Sequence, residues 1–77
     1  MEKAELVARI AERMIAGALP CRDCLVAWFG QGRGHPCAVC DAPITSPDTE
    51  IECDLPDGGT LYFHSPCFDL WHAALPA

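Results

Sequence analysis

Two short pairs carry metal-ligand chemistry, Cys37-x2-Cys40 and His64-x2-Cys67. A two-residue gap lets one tight turn aim both side chains of a pair at a single ion. Three thiolates and a neutral imidazole form a Cys3His set, which suits a closed tetrahedral Zn2+ site with no position left for a substrate water. The spacing therefore predicts one structural Zn2+ held by Cys37, Cys40, His64 and Cys67. Cys21-x2-Cys24 competes with this division, because Cys21, Cys24, Cys37 and Cys40 would also make a four-Cys set. That set would strand His64 and Cys67 with Cys53 and His72 as a second, less regular group. The first division is preferred because each of its pairs falls at a boundary between elements. Cys21 and Cys24 then have three readings: packing beneath the first helix, a redox pair, or half of a second metal site. Cys53 alternates with Ile51 and Leu55 and reads as a buried thiol that packs like a small hydrophobe. His72 lies about 140° around a helix from Cys67, so it should point away from the site, toward solvent or a partner.

The elements that position these residues follow from hydrophobic period and turn chemistry. Residues 1–20 read as an amphipathic helix, with Leu6, Val7, Ile10, Met14 and Ile15 on one side and Glu2, Glu5, Arg9, Glu12 and Arg13 on the other. Gly17 and Pro20 mark its end. Its apolar stripe either packs on the zinc module or is kept for a partner, and packing is the favoured reading. Residues 21–36 form a connecting segment in which Leu25–Phe29 is too short for its period to separate helix from strand. Gly30-Gln31-Gly32-Arg33-Gly34 then reads as a flexible lead into the knuckle, since its spacing does not match a dinucleotide fingerprint.

Residues 37–75 make up the finger. Glu50–Leu55 alternates acidic with apolar, Pro56-Asp57-Gly58-Gly59 supplies a turn, and Thr60–His64 is rich in strand formers, so the three read as a hairpin. Ser65 as N-cap and Pro66 at the first helical position open a short C-terminal helix that carries Cys67 and Trp71. Cys67 would then sit where the helix dipole favours a thiolate. Trp28, Tyr62, Trp71 and the phenylalanines are read as core and hairpin cover. The fold class is small α+β, one domain over residues 1–77.

Bulk composition bounds the rest. A chain of 77 residues leaves a small core, and domains of this size commonly lean on metal, disulfides or oligomerisation. No charged leader followed by an apolar run opens the sequence, and no stretch nears the about 20 apolar residues of a membrane span. This favours a cytoplasmic chain whose thiols stay reduced, hence metal over disulfides. The formal charge is −6, and the 5 Lys and Arg are scattered, which argues against a surface that tracks phosphates. Neither a paired carboxylate set nor a nucleophile motif occurs, so the chain reads as a non-enzyme.

Knuckle, hairpin and ligand-bearing helix, in that order, resemble a treble-clef zinc finger, and His64-Ser65-Pro66-Cys67-Phe68 with Trp71 is similar to the closing half of a LIM-type module. The run from Trp28 to Cys40, with Pro43-Ile44, Glu50-Ile51-Glu52, His64-x2-Cys67 and Trp71, resembles small bacterial proteins with one such finger behind an N-terminal helix. That resemblance covers residues 28–72 well and the first helix loosely. It implies the fold and the four ligands, and no activity travels with it. The leading expectation is an adaptor or regulatory module that binds another protein through its N-terminal helix or acidic surface, with a homodimer as one option. The alternatives are a nucleic-acid-binding regulator and a thiol-based redox or metal sensor using Cys21 and Cys24.

Overall fold

The computed structural model describes all 77 residues as a small α+β unit of two helices and a three-stranded antiparallel sheet. Helix α1 spans Lys3–Ile15 and strand β1 Val26–Gln31. Strand β2 covers Thr49–Asp54, β3 covers Thr60–His64, and helix α2 follows at once as Ser65–Ala74. The strands lie in the order β1-β2-β3, so β2 is central and β1 and β3 are edges.

The end of α1 follows from its sequence. Gly17 takes φ +80, the Ala18 N–H donates to Arg13 O at 2.8 Å, and the Gly17 N–H donates to Met14 O at 3.2 Å. These two bonds close a Schellman cap, which needs a residue free to adopt left-handed backbone. Beyond the cap the chain turns back, and Leu19 is buried at the start of the connection. Ile10 is fully buried, with Leu6 and Met14 partly so on the same stripe, while Val7 and Ile15 remain exposed. The apolar stripe is thus shared between core and solvent, and its inner part packs against α2.

Leu25–Phe29, ambiguous by period alone, is largely strand: β1 pairs with β2, placing Ala27 opposite Cys53 and Phe29 opposite Ile51. The hairpin is as expected. Glu52 lies opposite Tyr62, Gly58 has φ +94, and the Asp57 carboxylate accepts the Gly59 N–H at 2.8 Å. Alternation then puts Ile51, Cys53 and Phe63 on the inner face, all fully buried. Trp71 of α2 stacks on Phe63 at 5.1 Å between ring centres and donates its indole N–H to Pro20 O at 3.0 Å. A polar handle satisfied in this way lets a large aromatic ring sit in the core without a desolvation cost.

Three sequence expectations need correction. The glycine-rich loop is held in place: the Gly32 N–H donates to Asp48 O at 3.0 Å, the Gly34 N–H to Ile44 O at 2.8 Å, and the Ile44 N–H to His35 O at 2.8 Å. A Cβ on Gly32 would collide with the backbone at Ile44 and Thr45, so this glycine is needed for close approach. Trp28 is not core cover; it is 58% exposed on the edge strand, its indole N–H bonded to Asp54 at 2.9 Å. Helix α2 starts one residue early, with His64 as N-cap and Pro66 beyond the first helical position. His64 makes no side-chain cap bond because its ring is turned toward the cysteines.

Candidate metal centre

The Cys37–Cys40 turn, the end of β3 and the first turn of α2 converge on one point. The ligand atoms of Cys37, Cys40, His64 and Cys67 all lie within 4.8 Å of one another. A tetrahedron with Zn–S of about 2.3 Å and Zn–N of about 2.0 Å separates its donors by roughly 3.5–3.8 Å, so one ion spans this cluster after small adjustments. Cys37 and Cys67 are buried, while Cys40 and His64 are partly so. These are the four residues that the sequence singled out, and together they could hold one metal ion.

Local backbone prepares the sulfurs. The N–H groups of Val39, Cys40 and His64 point at Cys37, that of His64 at 3.5 Å, and the Ala42 N–H points at Cys40. Amide dipoles aimed at sulfur favour thiolates. The turn is completed by Asp41 at φ +66, a left-handed conformation that Asp tolerates better than most residues.

His64 supplies a nitrogen of defined orientation. Its Nδ1 lies 3.3 Å from Cys40 Sγ, and its Nε2 lies 3.6 Å from Asp48 Oδ2. A carboxylate behind the outer nitrogen favours the tautomer whose proton sits on Nε2, leaving the Nδ1 lone pair for a metal. Asp48 is itself oriented by the Thr45 hydroxyl, which donates to it at 3.2 Å.

The donor set has the electrostatics of a cation site. The Cys67 thiol hydrogen-bonds to Cys37 and pulls Cys37 well below the usual thiol range. Cys67 is pushed up by the same bond, then by burial and the Cys37 charge. Burial, followed by the Cys37 charge, also raises Cys40. Crowded thiols cannot all ionise unaided; a divalent cation among them removes that conflict and lets each act as a thiolate ligand. The residues present therefore fit a Cys3His-bound metal.

Helix α1 is clamped to the back of this turn. Arg13 grips the Asp41 carboxylate with two N–H groups at 2.6 and 3.0 Å and also donates to Ala38 O at 2.7 Å. Arg9 adds bonds to Asp41 at 3.2 Å and Val39 O at 3.4 Å. The Arg13 guanidinium holds the Asp41 carboxyl below the usual range. Nothing in the Arg9 and Arg13 spacing announces a partner so distant in sequence, and the sequence gives no signal for this clamp.

The remaining cysteines depart from expectation. Cys24 is joined to Cys53 by a disulfide with Cα atoms 5.4 Å apart, leaving Cys21 free and exposed. Cys53 is buried as foreseen but is not a free thiol; Cys21 and Cys24 are not bonded to each other, and neither joins a metal cluster. An all-reduced set of thiols is likewise not what the chain holds. Just before β1 the Leu25 N–H donates to Asp54 O at 2.7 Å, which holds the neighbouring Cys24 beside the end of β2 that carries Cys53, a proximity that no sequence spacing encodes. His72 points away from the metal cluster, as its helical position required, and pairs with Asp23 at 2.9 Å. No helix is long and apolar enough to cross a membrane. Comparisons with protein-family models, curated proteins and solved structures found no match for this chain.

Proposed function

We propose that the chain is a non-enzymatic interaction module built on a treble-clef-like zinc finger, in which Cys37, Cys40, His64 and Cys67 bind one structural Zn2+. The observation that carries this reading is the closure of the donor set: four ligand atoms within 4.8 Å, two of their residues buried. Four protein ligands fill a tetrahedral ion and leave no position for a reacting water, so the metal's work is to hold the fold. The partner assigned is another protein, which docks on the acidic surface or on the outer side of α1.

A nucleic-acid role is less favoured by the charges. Of the 5 basic residues, Arg9 and Arg13 are engaged by Asp41, and Arg33 pairs with Glu50 and Glu52, leaving Lys3 and Arg22. Fluorescence anisotropy with single- and double-stranded DNA at low salt is expected to detect no binding. Saturable binding with a steep salt slope would favour the nucleic-acid alternative. Cobalt substitution tests the site itself. A closed thiolate-rich tetrahedron gives intense visible bands that added azide leaves unchanged, whereas a spectrum that shifts with azide would reveal an open position and contradict the structural role.

A further inference from the structure

We infer that Cys21, Cys24 and Cys53 form a thiol–disulfide exchange site that carries the disulfide from the core to the surface, where a dithiol can collect it. The three sulfurs are graded by exposure. Cys53 is fully buried, Cys24 partly so, and Cys21 is free and exposed. A solvent thiol therefore has no path to Cys53, and Cys24 is the sulfur open to attack.

The loop that carries Cys21 is held on both sides. Pro20 O accepts the Trp71 indole N–H at 3.0 Å. The Asp23 carboxylate bonds His72 at 2.9 Å with one oxygen and accepts the Cys24 N–H at 2.7 Å with the other. Cys21 lies between these anchors, at a spacing whose full extension is about 10 Å. The chain bends at Cys21 and Arg22 and so is not fully extended, and a two-residue gap between cysteines is a spacing that closes a disulfide.

The step conserves atoms and electrons without an outside oxidant. The Cys21 thiolate attacks Cys24 Sγ, the Cys24–Cys53 bond breaks as the Cys21–Cys24 bond forms, and the electron pair leaves on Cys53 Sγ. Cys53 takes up the proton that Cys21 released, so the step balances. An external dithiol then reduces the exposed Cys21–Cys24 bond and becomes a disulfide itself. Cys37, Cys40 and Cys67 take no part.

Disulfide mapping of the zinc-loaded chain tests this. Trypsin cutting at Arg22 separates Cys21 from Cys24, and cutting at Arg33 separates Cys24 from Cys53. The sample is held without air at alkaline pH, which speeds thiol–disulfide exchange, then quenched in acid, alkylated and digested. The expected product is the Cys24 peptide linked to the Cys21 peptide, with Cys53 alkylated, growing with time and absent in Cys21→Ser. Reduction of the protein by dithiothreitol should also slow about tenfold in Cys21→Ser. Absence of the exchanged linkage in the wild type, or equal reduction rates in the two proteins, would overturn the inference.

Discussion

Asp41 joins backbone geometry and charge in one residue: its φ of +66 closes the turn that carries Cys37 and Cys40, while its carboxylate receives both arginines of α1. The two roles separate by substitution. Asp41→Asn keeps a side chain that tolerates left-handed backbone and loses only the charge, whereas Asp41→Ala loses both. Thermal unfolding should therefore rank wild type above Asp41→Asn and Asp41→Asn above Asp41→Ala; equal midpoints for the two variants would mean that the backbone contributes nothing. Glu50 makes a different prediction. It is buried at 3% exposure, with His35 at 2.8 Å and Arg33 at 3.2 Å. Burial pushes its carboxyl up, but the bonds from His35 and Arg33 outweigh that and leave it below the usual range. A depressed carboxylate contributes stability above its unfolded pKa, about 4.3, and loses it as pH falls through the folded value. Glu50→Gln should cost about 1 kcal/mol near neutrality, and the gap to wild type should close in acid. Denaturant midpoints measured across pH check this, and a gap independent of pH would contradict it.

At the scale of elements, β1 and the disulfide set the contrast. Phe29 is 69% exposed on the edge strand, while Phe63, on the same sheet face, is fully buried against Trp71. Phe29→Ser should change stability by no more than about 0.5 kcal/mol, and Phe63→Ala should cost about 3–5 kcal/mol. Urea titrations of both variants decide whether β1 is core or rim. The Cys24–Cys53 bond spans a separation of 29 residues, so its loss through Cys24→Ser should cost about 3–4 kcal/mol by restoring freedom to the unfolded chain. Both helices, the hairpin and the four converging ligands were legible because each rests on local period, turn residues or pair spacing. The arginine clamp, the Cys24–Cys53 bond and the pinned Gly32 loop were not, because each depends on chain segments that meet only after folding. Leu25–Phe29 shows the same limit on a smaller scale: its strand character comes from pairing with β2, and its own period was silent.

The whole molecule has little core to spare. Only 12 of 77 residues are buried, and Cys37 and Cys67 are among them. A core of this size is marginal by itself, so the structural site proposed above should make metal binding and folding one event. Cys40→Ser or a strong chelator should unfold the segment from Cys37 to His72, seen as loss of the hairpin signals in NMR spectra; a metal-free chain with native hairpin signals would refute the coupling. The most direct test of the central claim is native mass spectrometry with thiol counting on the same sample. One zinc per chain is expected, with Cys21 the single titratable thiol while zinc is bound. After chelation and denaturation four thiols should react, since Cys21, Cys37, Cys40 and Cys67 are the free cysteines. A chain that carries no zinc, or one whose Cys37, Cys40 and Cys67 react freely in the zinc-loaded state, would contradict a structural Cys3His site.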